Sequence, residues 1–489
     1  MTIEQILEQV SKNQPATDTS VLRRAYEFAA SAHGEQRRKS GELYIEHPLH
    51  TAFILAQIRA DLATITAGLL HDVPEDTTKT LDDIREAFGD EVAKLVEGIT
   101  KLSKIRYRGI KRYRESLRKM FLAMAEDLRV ILIKFADRLH NLRTLDALPK
   151  EKQKRIAQET MEIYAPIAGL LGIWSLRWQM EDICFKYLHS EEYKKLEYKY
   201  EIERKTELKQ YIERIRQIVD QKLKAEKIKH HIDGRFKHLY SIWQKMQEKH
   251  RKFDEIHDVF ALRVIVTSVA DCYKTLGIIH SIWKPNYTRF KDYIAVPKPN
   301  GYRSIHTTVF GPGGKPTEFQ IRTKEMHEEA LYGISAHWYY KQNRIEVGEK
   351  TPHWVQEILE VQREATSSQQ FLKEVKLDIF RDRIFVFTPK GDVHDLPGNA
   401  TPVDFAYAVH TDIGNKCVSA RVNGRMAPLE ATLKNGDMVE IVIDQNRQGP
   451  NYDWLDFVKT RRARVKIKQY AKRSRLDTIK RFLPGFNKK

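Results

Sequence analysis

Apolar residues in the first 190 positions recur at three- and four-residue spacing, as in Leu69, Leu70 and Val73, or Val130, Ile133 and Leu142. That period predicts helices throughout residues 21–189. Pro48 and Pro149 fall where helices would open. Residues 191–229 are dense in Lys, Glu and Arg, which predicts a solvated helix leading into the next domain. Near Ile232 the texture changes. Residues 259–267 are β-branched and apolar, and 318–322 alternate, so strands mix with helices from here on. Period two puts Glu318, Gln320 and Arg322 on one strand face and turns Phe319 and Ile321 to the core. Residues 284–286 and 296–302 read as loops, and 341–370 as a polar helical linker. Residues 383–442 read as a small β-rich module, with turn residues Pro389-Lys390-Gly391 and Asn435-Gly436-Asp437. The stretch 459–489 holds thirteen Lys or Arg and a single acid, Asp477, and no internal repeat occurs.

Composition narrows the class. At ~150 residues per domain, the 489 residues suggest about three domains. Lys and Arg total 84 against 66 Asp and Glu, a net charge of +18 that favours nucleotides, RNA or an acidic membrane face. Cys184, Cys272 and Cys417 are far apart, which argues against a disulfide framework or a Cys-rich zinc site. Residues 1–14 carry Glu4 and Glu8 and lack the apolar core of a signal peptide. The longest apolar stretch, 163–174, is broken by Pro166, Gly169 and Gly172 and is too short to span a bilayer. The expectation is a cytoplasmic protein with no membrane partner.

Two constellations carry chemistry. His71-Asp72 closes an apolar helix and is followed by Glu75 and Asp76, with His47 upstream. Asp137 lies in an otherwise apolar helical stretch, where an unpartnered carboxylate would be costly to bury. Asn141 is one turn further along the same face. Imidazoles and carboxylates from three helices suit a divalent ion with a reactive water, which reads as an HD-type metal phosphohydrolase. Glu75 and Asp76 are close enough to couple as general acid or base. Arg38, Lys39 and Ser40 offer cations and a hydroxyl to a phosphate. His257-Asp258 shows that the dipeptide alone is a weak signal, since it precedes a strand.

The second constellation fits nucleotide chemistry. Arg235, Lys237, Ser241 and Lys245 could meet a triphosphate, and Arg263 could stack on a base or clamp phosphate. Asp258 and Glu318 are the acids expected to bind magnesium. Asp258 and Arg263 have opposite parity, so Asp258 must precede the regular strand or a bulge must intervene. Between the acids, Lys291, Lys298 and His306 offer donors, Gly301 permits close backbone approach, and Tyr302 offers a ring for stacking.

The segment RFKDYIAVPKPNGYRSIHTTV, followed by EFQIRTKEMH, resembles the synthetase domain of the RelA/SpoT homologue family. RKSGELYIEHP, HDVPEDT and KFADRLHNLRT resemble that family's hydrolase domain, and DRIFVFTPKGDVHDLPGNATPVDFAYAVHTDIG its TGS domain. The resemblance implies a multidomain α and α+β chain: an all-α HD hydrolase domain at 1–195, an α/β nucleotidyltransferase-like synthetase domain at 196–340, a helical linker at 341–380, a small β-grasp TGS domain at 381–446, and the start of a basic helical domain at 447–489. Family members transfer pyrophosphate from ATP to the 3′-hydroxyl of GDP or GTP, and hydrolyse the (p)ppGpp so made. By resemblance, His47, His71, Asp72 and Asp137 would hold manganese, with Glu75 and Asp76 handling the water and Arg38, Lys39, Ser40 and Asn141 on the nucleotide. Arg235 and Arg263 would sandwich adenine, Lys237, Ser241 and Lys245 would meet its phosphates, and Asp258 and Glu318 would hold magnesium. Tyr302 would stack on guanine beside Lys291, Lys298, Asn300 and His306. His410 would meet uncharged tRNA on the ribosome. Arg289-Phe290-Lys291-Asp292 has the family's bifunctional Arg-x-Lys-Asp form. Leu43, Pro74 and Phe236 depart from its usual pattern, and Pro74 bears on how Glu75 is placed. Long family members continue past residue 489, so the chain is expected to be a truncated form.

Two rivals remain: an HD-containing tRNA nucleotidyltransferase, and a catalytically silent tRNA- or ribosome-binding regulator. The first usually places a Gly-Ser pair before two closely spaced aspartates, and no Gly-Ser dipeptide occurs here. Intact acids at both constellations weigh against the second.

Overall fold

The computed structural model describes residues 1–15, 17–103, 126–200, 205–250, 253, 260–298, 301–333, 383–434 and 436–482. Asp258, Asn300 and the expected linker at 341–380 lie outside them. The chain divides into two units, Met1–Lys350 and Thr351–Lys489.

The first unit opens with helices α1 (Ile3–Asn13), α2 (Ser20–His33), α3 (Glu46–Gln57), α4 (Leu62–Leu70), α5 (Val73–Asp76), α6 (Leu81–Ser103) and α7 (Arg129–Arg143). Helix α1 buries a single stripe, Ile3, Ile6 and Val10. Helices α3, α4 and α7 are buried nearly all round and form the centre of the bundle. Asp61 caps α4 by accepting the Thr64 N–H at 2.7 Å. A Cβ at Gly68 would stand 2.5 Å from Leu55 Cδ1, so glycine there lets α4 approach α3 closely. Pro74 occupies the first turn of α5, where a missing N–H leaves no helical bond unmade. Helix α8 (Lys150–Glu159) passes through a π-turn into α9 (Ala165–Leu170), and α10 (Trp174–Leu188) and α11 (Ser190–Tyr198) follow.

Next comes α12 (Lys205–Ala225), then β1 (His230–Phe236), α13 (Leu239–Lys249), β2 (Phe260–Val266), α14 (Val269–Ile282), β3 (Lys291–Asp292), β4 (Ile305–Phe310), β5 (Pro316–Thr323) and α15 (Lys324–Tyr332). Among the described residues the strands form one sheet in the order β1-β2-β5-β4-β3, parallel between β2 and β5 and antiparallel elsewhere. One face buries Ile232, Leu262, Val264, Ile305, Phe319 and Ile321 in a core shared with Ile215, Val219 and Leu223 of α12 and with Ile279 of α14. The expectation of a solvated connecting helix at 191–229 is corrected here. Helix α12 carries a buried apolar stripe beneath the sheet, which its many charged neighbours obscured in the sequence. The opposite face of the sheet is polar.

In the second unit β6 (Arg383–Phe387) pairs with β7 (Val393–Pro397). Helices α16 (Pro402–Val409) and α17 (Thr411–Lys416) lead into β8 (Cys417–Val422), β9 (Arg425–Ala427) and β10 (Val439–Ile443), ordered β10-β8-β9. The basic helix α18 (Arg461–Phe482) is anchored by buried Asp404, which accepts the Lys459 N–H at 3.0 Å and the Thr460 N–H at 2.7 Å. Ala463 and Ile467 pack with Val403, Ala406 and Tyr407 in one cluster. The three cysteines are free and buried. No helix among the described residues is long and apolar enough to cross a membrane.

Candidate active sites

His47 stands in the first turn of α3, His71 caps the end of α4, Asp72 follows it, and Asp137 lies midway along α7. The fold brings all four together. His47 Nε2 is 3.3 Å from Asp137 Oδ1 and 3.5 Å from Asp72 Oδ2, and ligand atoms of His47, His71 and Asp137 lie within 4.8 Å of one another. His71 Nδ1 is 2.8 Å from the Gly68 carbonyl, so the ring proton sits there. Its buried Nε2 makes no hydrogen bond and points a lone pair at Asp72 Oδ1, 3.2 Å away. Two acceptors facing each other call for a cation between them, so this site fits a divalent metal. Burial would raise the Asp137 carboxyl, but Lys134, 2.7 Å away, and His47 hold it well below the usual range.

A cavity of about 420 Å³ opens beside these ligands, lined by Arg38, Lys39, Ser40, Asp137 and Asn141. Asn141 donates to Asp137 and accepts from Arg38 at 2.5 Å. Glu75 and Asp76 are exposed on α5. Three residues here went unnoticed in the sequence. Tyr44 donates to both Asp72, at 3.0 Å, and Asp76. Lys134 and His140 flank Asp137 three positions to either side, a helical spacing that marks them as neighbours. Burial, then His47 and His50, push the His140 imidazole down to about 2.

The second site lies on the polar face of the sheet. Strand register places Asp233, Arg263, Gln320, His306 and Lys291 in one row across all five strands. Arg235 and Glu318 stand in the next row, on either side of Ala261. A cavity of about 650 Å³ is lined by Arg235, Lys237, Arg263, Lys298, Tyr302 and His306 from the expected set. Gln320 and Arg322 join them, as do Trp174, Trp178 and Asp182 of α10. Glu318 lies 3.3 Å from Lys237 Nζ and 3.5 Å from His306 Nδ1, and accepts from Gln320 at 2.9 Å. Burial would raise this carboxyl, but His306, Lys237 and Gln320 outweigh it, so Glu318 is ionised.

Tyr302 O–H is 2.7 Å from His306 Nε2, while Lys298 and Arg322 lie over its ring at 5.4 and 5.5 Å. The turn that presents it is closed by the Gly301 N–H donating to Lys298 O at 2.8 Å, with Gly301 at φ 76. Lys291 is exposed at the sheet edge. Ser241 and Lys245 lie one turn apart on α13 and do not line the cavity. Arg322, buried to 1 % exposure, does more than share the strand face with Glu318 and Gln320: it borders the cavity and donates to Gln320 at 3.0 Å. In the second unit His410 caps α17, accepting the Asp412 N–H at 3.2 Å, and 64 % of its side chain is exposed.

Three family descriptions match successive parts of the chain: an HD domain at residues 25–174, a region found in RelA / SpoT proteins at 234–345, and a TGS domain at 384–443. The guanosine-3′,5′-bis(diphosphate) 3′-pyrophosphohydrolase of Aquifex aeolicus is 47% identical over 97% of this chain and 67% of its own length. The chain belongs to the RelA/SpoT family. Two further members of that family are the GTP pyrophosphokinase of Myxococcus xanthus, 46% identical over 98% of this chain and 65% of its own, and the bifunctional (p)ppGpp synthase/hydrolase RelA of Mycobacterium tuberculosis, 47% identical over 95% and 64%. The chain thus spans about two thirds of the length of these RelA/SpoT relatives. Within the family frame, the HD match covers the His/Asp cluster, and the RelA / SpoT region covers the polar face of the sheet.

Proposed function

We propose that this chain makes (p)ppGpp at the sheet and destroys it at the His/Asp cluster. What supports this most is the gathering of distant residues into two separate cavities: Arg38, Asp137 and Asn141 around one, Arg235, Arg263 and Tyr302 around the other.

In hydrolysis, His47, His71, Asp72 and Asp137 would hold manganese, which supplies Lewis acidity toward water and a phosphoryl oxygen. Arg38, Lys39, Ser40 and Asn141, which line the cavity, bind the nucleotide. One of Glu75 and Asp76, the latter oriented by Tyr44, takes a proton from the attacking water as its oxygen bonds to the phosphorus on the 3′-oxygen; that P–O bond breaks, pyrophosphate leaves, and the proton passes to the 3′-oxygen. In synthesis, the 3′-oxygen of GDP or GTP bonds to the β-phosphorus of ATP as the bond from that phosphorus to the α-phosphate oxygen breaks, and AMP leaves. Arg235 and Arg263 hold adenine, Lys237 meets the phosphates within the cavity, with Ser241 and Lys245 on α13 outside its wall, and Tyr302 stacks on guanine beside Lys291, Lys298, Asn300 and His306. Asp258 and Glu318 would hold magnesium. For Glu318 the ionised carboxylate fits that duty, since Lys237 at 3.3 Å now supplies the charge a cation would. The enzyme works in the cytoplasm, and the second unit meets uncharged tRNA on the ribosome through His410.

The test is a pair of assays on wild type, Asp72→Ala and Glu318→Gln: AMP release from ATP plus GDP with magnesium, and pyrophosphate release from ppGpp with manganese. Asp72→Ala should lose only hydrolysis and Glu318→Gln only synthesis. A wild type that performs neither reaction would leave the silent regulator as the better reading.

A further inference from the structure

His47 presents Nε2 to Asp72 and Asp137, so offering a lone pair to a cation among them requires its proton on Nδ1. That proton needs an acceptor. Nδ1 of His47 lies 2.7 Å from Nδ1 of His140, a buried residue one turn beyond Asp137 on α7. His140 must then receive with a bare Nδ1 and carry its own proton on Nε2. Arg38 agrees with this assignment, because its NH1 also points at His140 Nδ1, from 3.4 Å. The ring of His140 is held in plane by His50, stacked at 4.6 Å and 13°.

We infer that His140 is the positioning residue that fixes the tautomer of His47 for metal binding, a task that the Gly68 carbonyl performs for His71. Ligand imidazoles ordinarily hand their second proton to a carboxylate or carbonyl. Here a second imidazole takes that place. It also ties the metal to the nucleotide cradle, because the guanidinium that approaches His140 donates to Asn141 at 2.5 Å. The inference rests on the metal reading of the His/Asp cluster given above.

The geometry makes the role separable from packing. The oxygen of Asn can take the place of a histidine Nδ1, whereas the amide of Gln reaches the place of Nε2. Manganese alone is titrated calorimetrically into the full chain as wild type, His140→Asn, His140→Gln and His140→Leu. Affinity should fall about 10- to 100-fold in His140→Leu and His140→Gln, the usual cost of removing such a partner. It should stay within about threefold of wild type in His140→Asn, which restores the acceptor. Pyrophosphate transfer from ATP to GDP in the same variants reports that the unit is folded. If His140→Leu fails that control, the comparison of His140→Asn with His140→Gln decides. Wild-type affinity in His140→Leu, or equal loss in the Asn and Gln variants, overturns the role of His140. A wild type that takes up no manganese overturns the metal reading, and this inference with it.

Discussion

Arg263 and Asp233 face each other across the β1–β2 pair and are joined twice, Nε to Oδ1 at 2.9 Å and a terminal nitrogen to Oδ2 at 2.5 Å. A guanidinium that is to lie flat against a base must keep its plane, and this two-pronged contact supplies that restraint. Asp233→Ala should therefore raise KM for ATP in synthesis about fivefold, the ~1 kcal/mol expected of a partly exposed ion pair, with kcat little changed. Steady-state kinetics with varied ATP checks it. An unchanged KM would remove Arg263 from the adenine site.

Tyr302 has two separable assets, its ring and its hydroxyl bonded to His306. Tyr302→Phe should keep guanine-nucleotide affinity, because the ring remains. Tyr302→Ala should weaken it by ~1–3 kcal/mol, the range for loss of base stacking. Equal affinity in all three proteins, read by titration of GDP, would assign the ring to packing.

Acid should destabilise the metal-free protein early, and His140 should account for part of that. Burial first, then His47, push its imidazole down to about 2, against 6.5 for an ordinary histidine. A depressed value means that the unfolded chain binds the proton more readily. Stability is then fully present above pH ~6.5 and is lost as pH falls below it, at up to ~1.4 kcal/mol per pH unit for each such group. Urea midpoints between pH 7 and pH 5 should fall less steeply in His140→Asn than in wild type. Parallel slopes would mean that His140 protonates freely in the folded state.

The two proposed sites should not run at once, since a chain that makes and destroys the same molecule would waste ATP. A physical link is present. Arg59, between α3 and α4, pairs with Glu328 of α15 at 3.0 Å and lies over the Tyr332 ring at 4.8 Å. Helix α15 follows directly on the strand of Glu318. A non-hydrolysable ATP analogue plus GDP should suppress ppGpp hydrolysis in wild type, and Arg59→Ala should relieve that suppression. Equal suppression in both would show that coupling bypasses this contact.

RNA binding should divide between His410 and the basic helix. His410→Ala should lower discrimination between uncharged and charged tRNA, measured with ribosomes, and leave the salt dependence alone. Neutralising the exposed Lys468 should instead flatten the salt slope, since a helix that neutralises fewer phosphates displaces fewer counterions. Arg464 is unsuited to that experiment. Its guanidinium donates to the Val458 carbonyl at 2.8 Å and belongs to the fold. Equal binding of both tRNA forms by wild type would end the sensing role.

Much of this molecule was legible in one dimension because its signals are local. Helical period marked the N-terminal bundle, and period two put Glu318, Gln320 and Arg322 on one face with Phe319 and Ile321 behind it, as β5 shows. Asn141 one turn from Asp137 implied the bond that the fold makes. Residue types and motif spacing were enough to nominate both His/Asp ligands and nucleotide contacts, since a metal or a phosphate accepts few kinds of side chain. Tertiary structure decided what depends on distance across the chain. Whether α12 was a solvated connector or the floor of a sheet turned on Ile215, Val219 and Leu223 meeting strands that come later, which a charge-rich helix does not announce. That Asp233 would hold Arg263 required the β1–β2 register, and a slip of one residue would have turned them to opposite faces. The proton on His47 is set by His140, 93 positions away, because a tautomer is chosen by the atom that lies within hydrogen-bond reach and not by any neighbour in sequence.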